Sequence, residues 1–152
     1  MEKTKITIGE KDMCIEEVLN APLDLVWKAW SHPEHIALWW GPNGFTNTIH
    51  KMDLKPGGDW LLTMHGPDGK DYPNKSTFVE VVPKQKIVYR HYNPNFTATI
   101  VFEALENKTR IKWSSVFETK KMFENVVIAF KADEGMKQNV EKLGKFLLEM
   151  KK

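Results

Sequence analysis

The side chains that could do chemistry are few, and none stands in a recognised catalytic motif. Cys14 is the only cysteine, and without an activating sequence context it is interpreted as a packed strand residue rather than a nucleophile. His32 and His35 are three residues apart, but two ligands rarely hold a metal and no matching cluster follows them. A hydrolase triad would need a serine elbow such as G-x-S-x-G, which the sequence lacks. The sequence therefore predicts no metal site and no cofactor, and it assigns no catalytic residue.

Three polar residues on predicted strands are better candidates, because strand alternation turns them towards the interior. They are Tyr89, His91 and Ser115. A buried polar group without a partner costs about 1–3 kcal/mol, so each needs a protein partner, a water or a ligand. Apolar walls with a few polar anchors are typical of a small-molecule site. The residues alone leave two interpretations open: a ligand cavity, or a filled interior in which these groups bond to one another or to the backbone.

The predicted ligand-binding set combines these polar groups with the other residues expected to surround the interior. It comprises Trp39, Trp60, Leu62, Met64, Tyr89, His91, Ala98, Ile100, Phe102, Trp113, Ser115, Met136 and Val140. Trp39 and Trp40 could gate a pocket or form an interaction surface; the structural alternative is that one ring packs under the first strand and the other covers it. If the protein were an enzyme, His91 or Tyr89 would be the acid/base candidate, although no acid and base can be paired.

A long amphipathic helix over 133–151 must position these residues. Its apolar residues step by four, three, four and three, which places them on one side of a helix. They are Met136, Val140, Leu143, Leu147 and Met150. Asp133 is the predicted N-cap, and Glu134 lies in the first turn, where the helix dipole favours a negative charge. A helix of about 18 residues is roughly 27 Å long and needs an apolar surface to lie against.

The rest of the chain is mostly strand-like. A polar start, expected to be loose through Lys11, precedes a strand at 13–19. Two short helices come next, LDLVWKAWS after Pro22 and PEHIALWW from Pro33. Further strands are predicted at 45–54, 60–65, 76–82, 87–92, 96–105 and 109–117, and the Gly, Pro and Asn turns between them favour an antiparallel meander. The prediction is an α+β fold in one domain over 1–152, with a curved antiparallel sheet wrapped around the long C-terminal helix.

Composition and charge exclude several classes of function. Apolar residues make up 41% of the chain and charged residues 28%, as in soluble globular proteins. The net charge of +2 is too small for the electrostatic footprint of a nucleic-acid-binding protein. The start lacks the apolar run of a signal peptide, and no later stretch could span a bilayer. We expect a cytoplasmic protein, a monomer or weak homodimer, with no nucleic-acid or membrane partner.

The chain also resembles a known family in motifs that span nearly its whole length. These are Ala21-Pro22 with Val26-Trp27, Trp39-Trp40-Gly41-Pro42 with Gly44-Phe45, Asp53 with Pro56-Gly57-Gly58, Gly66-Pro67-Asp68-Gly69, Glu80-Val81 before Pro83, Thr109-Arg110, and Gly135. They are similar to those of the bacterial family homologous to the C-terminal domain of the heat-shock-protein-90 ATPase activator, within the START and birch-pollen-allergen superfamily (SRPBCC). Ser76 stands where that family often has glycine, and Met136 where it often has tryptophan.

This resemblance implies a helix-grip fold, and it favours the cavity interpretation because helix-grip proteins commonly hold apolar ligands between the sheet and the last helix. The favoured hypothesis is noncovalent binding of a hydrophobic or amphipathic small molecule at that place. One alternative is a chaperone-linked interaction module that resembles the ATPase activator. The other is a cyclase- or hydrolase-type enzyme, since the superfamily includes such relatives.

Overall fold

In the described part of the chain, the backbone forms one antiparallel sheet of eight strands. The computed structural model describes residues 5–92, 94–128 and 131–151. The strands are β1 Lys5–Ile8, β2 Asp12–Leu19, β3 Thr46–Met52, β4 Asp59–His65, β5 Asp71–Val82, β6 Lys86–Tyr92, β7 Phe96–Leu105 and β8 Lys108–Phe117. Their order across the sheet is β1-β2-β8-β7-β6-β5-β4-β3. The predicted meander is confirmed for β3 to β8. β2, which precedes it in the chain, pairs with its last strand, β8.

Helical segments complete the described part of the chain. They are α1 Leu23–Ser31, α2 Pro33–Trp39, α3 Lys120–Phe123, a π-helical segment Glu124–Ile128, and α4 Ala132–Met150. Pro22 is the N-cap of α1, and Pro33 occupies the first turn of α2, where a missing backbone N–H is tolerated. The predicted α+β architecture, with a curved sheet, two short helices after the first predicted strand and a long C-terminal helix, is confirmed. No described helix is both long and apolar enough to cross a membrane.

The structure contains one strand that the sequence pattern did not predict and another that begins earlier than predicted. The polar start was expected to be loose through Lys11, but β1 pairs antiparallel with β2, with Ile6 opposite Ile15. β5 begins at Asp71 rather than at Ser76, because its first residues pair with β4. Ladder hydrogen bonds to a neighbouring strand stabilise both extensions. In each case the partner is the strand next to it in the chain, and the residue pattern of a single strand does not reveal this pairing.

The entry into α4 also differs from the expectation. The N-cap is Lys131, in the left-handed conformation with a φ of 53°, and not Asp133. Asp133 lies in the first turn together with Glu134, so its charge still complements the helix dipole. The short α3 and the π-helical segment, which the apolar spacing did not reveal, occupy the connection before α4. Thr119 caps α3, since its hydroxyl accepts the Met122 N–H at 3.1 Å.

The inner face of the sheet follows the predicted alternation. Ala98, Ile100, Phe102, Ile111, Trp113 and Ser115 are buried. Ala104, beside the turn that joins β7 to β8, is exposed instead. On α4, Val140, Leu143 and Leu147 are buried and belong to the same core as these strand residues. The long helix therefore covers the inner face of the sheet, as its periodicity predicts.

Trp39 links the two short helices to each other through its side chain and to α4 through its backbone carbonyl. The indole N–H of Trp39 donates to the carbonyl oxygen of Ala29 at 3.0 Å, which ties α2 to α1. Asn139 Nδ2 donates to the carbonyl oxygen of Trp39 at 2.9 Å. Asn139 is buried, so this bond lies out of water. The end of α2 is thereby held against α4, next to the loop that follows it.

Candidate ligand-binding cavity

A hollow of about 570 Å³ lies between the inner face of the sheet and the first half of α4. Its wall comes mainly from β4 to β8, from the loop 40–45, and from the start of α4 at Ala132, Gly135, Met136 and Asn139. The usual volume of a small-molecule pocket is about 300–1,000 Å³. We call this hollow the central cavity. Its size and position suit a ligand held between the sheet and the helix.

Strand register brings the cavity residues together in rows across the sheet. Trp60 on β4 is opposite Ser76 on β5, and Ser76 is opposite His91 on β6. In the next inward-facing row, Tyr89 on β6 is opposite Ala98 on β7, and Ala98 is opposite Ser115 on β8. Side chains on one face of neighbouring strands lie about 4.5–5.5 Å apart. Residues far apart in sequence thus form one continuous wall.

Aromatic rings make up most of the apolar wall. The ring centroids of Trp40 and Trp60 are 4.9 Å apart, and those of Trp40 and Trp113 are 5.3 Å apart with the rings stacked. Tyr89 lies edge-on to Trp60, with a centroid distance of 5.1 Å. Such offset and edge-to-face pairs are worth about 0.5–1.5 kcal/mol each beyond their buried area. The wall is therefore held in place by its own contacts and offers flat apolar surfaces to a guest.

Two buried hydroxyl groups line the central cavity without a protein partner. Ser76 and Ser115 are only 4% and 3% exposed, and both belong to the cavity wall. Among the described residues, neither hydroxyl forms a hydrogen bond. The indole N–H groups of Trp60 and Trp113 are also buried and lack an acceptor within the described chain. Because unpaired buried polar groups are costly, these groups are the natural anchors for a polar atom inside the cavity.

Tyr89 adds a third hydroxyl to the same wall and is neutral. Burial raises the pKa of the Tyr89 phenol far above its usual value. The indole N–H of Trp113 acts in the opposite direction and by less. That N–H lies near the phenol and has no acceptor of its own among the described residues. The Tyr89 hydroxyl can therefore donate to a ligand at neutral pH without ionising.

His91 is fully engaged by the protein. Its Nδ1 donates to the carbonyl oxygen of Pro94 at 2.8 Å, and its Nε2 lies 2.8 Å from Asn74 Oδ1. The ring also stacks on Phe96, with centroids 4.6 Å apart. Burial lowers the pKa of His91, and the bond to Pro94 opposes this more weakly. The neutral ring keeps its proton on Nδ1, and the Asn74 side chain beside Nε2 is itself held by a hydrogen bond from its Nδ2 to the carbonyl oxygen of Tyr72 at 2.9 Å.

The loop 40–45 closes one side of the central cavity and is held by α4. Lys142 Nζ lies 3.4 Å from the carbonyl oxygen of Trp40 and 3.3 Å from those of Pro42 and Phe45. Burial lowers the pKa of Lys142. An ammonium group has three donors, so the three carbonyls satisfy it completely. Lys142 fixes the loop that carries Trp40, and it does not itself line the cavity.

The structure divides the predicted ligand-binding set into two groups. The members on the cavity wall are Trp60, Leu62, Met64, Tyr89, His91, Trp113, Ser115 and Met136. The members packed into the solid core away from that wall are Trp39, Ala98, Ile100, Phe102 and Val140. The helices α1 and α2 fill that end of the sheet; Phe102, for example, meets the rings of Trp27 and Trp30 at 5.6 and 5.9 Å. A ligand-contacting role for the wall residues stays a prediction.

Several wall residues were missing from the predicted set. Trp40 rather than Trp39 faces the cavity. Ser76 was ambiguous because β5 shifts register between Phe78 and Glu80, so that apolar residues fall in both parities. The sequence did contain a signal for Asn139: it is a polar residue three positions after Met136, on the apolar side of the helix, so an inward-facing polar group could have been predicted there. Phe45 lies just before β3, and Asn74 lies in the part of β5 that precedes the predicted strand, so alternation gave no signal for either.

Chemistry outside the cavity is limited. Thr48 Oγ1, His65 and Asp71 form a chain of hydrogen bonds, with Thr48 Oγ1 2.7 Å from His65 Nε2 and Asp71 Oδ1 2.7 Å from His65 Nδ1. Thr48 is exposed, and neither it nor His65 lines the central cavity, so this chain lacks the enclosed site that a nucleophile needs. Burial raises the pKa of the Cys14 thiol, which disfavours the reactive thiolate.

The histidine pair on the short helices is stacked and bonded to neighbouring groups. The rings of His32 and His35 stack, with centroids 5.2 Å apart. His35 Nδ1 lies 3.1 Å from the carbonyl oxygen of Lys28, and His32 Nδ1 lies 3.1 Å from the hydroxyl of Ser31. Within the described ranges, no three His, Cys, Asp or Glu side chains are grouped so that they could hold a metal ion.

A long helix packed against a curved antiparallel sheet defines a helix-grip protein of the START and birch-pollen-allergen superfamily, and here a cavity lies between the two. The chain belongs to the family described as "Activator of Hsp90 ATPase homolog 1-like protein", whose model matches residues 20–147. The suspected family is confirmed. The match covers all the elements from α1 to β8 and most of α4.

Solved structures of bacterial proteins share this fold. A Nitrosomonas europaea protein is 24% identical with a TM-score of 0.86, covering 95% of this chain and 99% of that one. An Arthrobacter aurescens protein is 23% identical with a TM-score of 0.90, covering 95% and 91%. CalU16 from Micromonospora echinospora is 16% identical with a TM-score of 0.66, covering 96% and 87%. No curated protein matches the sequence. At these identities the likeness extends to the fold and no further.

Proposed function

We propose that the protein binds a hydrophobic or amphipathic small molecule in the central cavity, without covalent chemistry. The observation that carries this proposal is an aromatic-walled hollow of about 570 Å³ with buried hydroxyl groups on its wall. Protein interiors are close-packed, and voids larger than a water molecule are few. A hollow of this size, held open by aromatic contacts and by the hydrogen bonds from Lys142 to loop 40–45, supports a role in ligand binding.

The binding function can be tested by filling the cavity. Met136 lines the cavity on α4, so the substitution Met136→Trp should occupy much of its free volume. The matched control is Leu148→Trp on the same helix, at a position that is 50% exposed. The probe is N-phenyl-1-naphthylamine, a neutral dye whose fluorescence rises in apolar surroundings. We expect the wild type and L148W to bind the dye, and M136W to bind it at least about 10-fold more weakly, as loss of most of an apolar contact surface predicts.

Native mass spectrometry of freshly purified protein provides an independent measurement. A retained small molecule would appear as a mass difference from the denatured chain, and M136W should carry less of it. If the dye does not bind to the wild type, or if M136W and L148W bind it equally well, the cavity is not the binding site and the proposal fails.

A second candidate function is action on a chaperone of the heat-shock-protein-90 type. It is supported by the family match over residues 20–147 and its description. The measurement is the ATPase rate of a purified bacterial chaperone of this type, with and without the protein. Stimulation that persists in M136W would show that the chaperone surface is separate from the cavity. An unchanged ATPase rate, together with no complex in size-exclusion chromatography, would rule this candidate out.

A further inference from the structure

The charge around the central cavity limits the ligands that it can accept. Ionisable side chains on its wall, within the part of the chain that the structure describes, are Asp71, Tyr72, Tyr89 and His91. Asp71 is exposed and bonded to His65 at 2.7 Å. The Tyr72 hydroxyl donates to Asp68 Oδ2 at 2.8 Å. Among the described wall residues, the only fixed charge is therefore negative, and it belongs to an exposed residue.

His91 cannot serve as the cation for an acidic ligand. Both of its ring nitrogens already lie at 2.8 Å from protein atoms, one at Pro94 and the other at Asn74. Its ring face is covered by Phe96. An acidic ligand would have to break one of these hydrogen bonds before the ring could donate to it. The two bonds hold the ring in place, and burial, which lowers the pKa of His91, keeps it a neutral part of the wall.

Lys142 is a half-buried cation on α4, three residues after the wall residue Asn139, and its ammonium group is occupied as well. Its ammonium group faces the carbonyl oxygens of Trp40, Pro42 and Phe45 at 3.3–3.4 Å. Moving it towards a ligand would strip three carbonyls of their donor and release the loop. An anionic ligand inside the cavity would thus be removed from water without a counter-charge, which is strongly unfavourable. The same reasoning disfavours a deeply placed cation, because Asp71 is exposed.

The hydrogen-bonding groups inside the central cavity are neutral. Ser76 on β5 and Ser115 on β8 present unpaired hydroxyls, and Tyr89 lies between them on β6. A hydroxyl can both donate and accept, so it suits a ligand hydroxyl or carbonyl equally well. We propose that the central cavity selects an uncharged ligand with an aromatic or alicyclic body and a hydroxyl or carbonyl group that bonds to Ser76 or Ser115. This inference rests on the proposed binding function.

A matched set of probes tests the selectivity for charge. The first pair is 2-naphthalenemethanol and 2-naphthoate, which share one ring system; the second pair is dodecanol and dodecanoate. Calorimetric titration at pH 7.5 should show the alcohol binding more than about 10-fold more tightly than the carboxylate in the aromatic pair, because burying an unpaired carboxylate costs more than burying a hydroxyl. If the carboxylate binds as tightly as the alcohol, or more tightly, the inference is wrong while the binding function stands. If no member of either pair binds, the binding function fails and the inference with it.

The hydroxyl anchors are tested by the double variant Ser76→Ala/Ser115→Ala, which removes little volume. We expect its affinity for 2-naphthalenemethanol to fall about 3–10-fold, as the loss of a typical hydrogen bond predicts. Its affinity for 2-methylnaphthalene, which lacks the hydroxyl, should stay within about 2-fold. Equal losses for both probes, or no loss for the alcohol, would overturn the role assigned to these serines. The control variant is Ser114→Ala on β8, next to Ser115 and on the opposite face of the sheet, which should leave both affinities unchanged.

Discussion

Replacement of Asn139 by alanine should destabilise the protein through one buried hydrogen bond. The side chain is 5% exposed and its Nδ2 donates to the carbonyl oxygen of Trp39 at 2.9 Å. Without that donor the carbonyl is left unpaired next to the core, at a cost of about 1–3 kcal/mol. Alanine is a better helix former than asparagine by up to about 0.7 kcal/mol, which offsets part of the loss. We therefore expect a net fall of about 1–2 kcal/mol in the free energy of unfolding.

The neighbouring residue provides the control. Gln138 also bonds to the α2–β3 loop, since its Oε1 accepts the Asn43 N–H at 3.1 Å, but this contact is exposed. Water can replace an exposed partner, so Gln138→Ala should cost less than about 0.5 kcal/mol. The two variants change the same helix by similar chemistry and differ in burial. Their difference isolates the effect of removing a hydrogen bond from a place that water does not reach.

Urea unfolding followed by tryptophan fluorescence measures both variants. The midpoint for N139A should fall while the slope stays that of the wild type, because the surface exposed on unfolding is unchanged. For a chain of this length, 1 kcal/mol corresponds to about 2–4 °C in Tm. Trp40 follows Trp39 in the chain, so binding of N-phenyl-1-naphthylamine should weaken as well. Equal stability losses for N139A and Q138A would refute the argument from burial.

Two further predictions concern His91 and Gly41. Burial lowers the pKa of folded His91 below the unfolded value of 6.5, so the unfolded state binds more protons and stability falls as pH drops below about 6.5. Urea unfolding at pH 5.0 and 7.5 should show a smaller loss of stability at low pH for His91→Gln than for the wild type. An equal or larger loss in the variant would contradict this prediction. Gly41 has a φ of +93°, and a Cβ there would lie 2.8 Å from Met64 Cε, so Gly41→Ala should lower stability by about 1–2 kcal/mol. Thermal melts should show this loss reduced by no more than a third in the background Met64→Ala, because the backbone strain remains; full recovery would contradict it.

The elements that local physics controls could be read from the sequence. The apolar period of α4 and the prolines before α1 and α2 indicate helices, and α1 spans Leu23–Ser31 as predicted. Alternation along β7 and β8 assigns the inner face, because successive strand side chains point to opposite sides. The family motifs led to the helix-grip architecture as well. These signals are local in sequence or come from the order of elements that the chain shares with its family, and neither needs knowledge of the packing.

Two features of the secondary structure could not be read in this way. β1 exists through its ladder with β2, in which Ile6 opposes Ile15, and its own four residues are all exposed, so no apolar alternation marks it. α4 begins at Ala132 after the N-cap Lys131, although Asp133 is the better capping residue by type. Residue types alone do not indicate either feature.

For the candidate site, the sequence determined which residues face inwards, and the tertiary structure decided which of them meet empty space. Alternation treats Ile100 and Tyr89 alike, yet Ile100 lies in the solid core and Tyr89 lines the cavity. The difference arises because α1 and α2 pack over one end of the inner face and leave the other end to α4 and the loop 40–45. Periodicity records the direction of a side chain, whereas a cavity depends on the distance to the element opposite. That distance is set by the packing of helices that are remote from these strands in the chain.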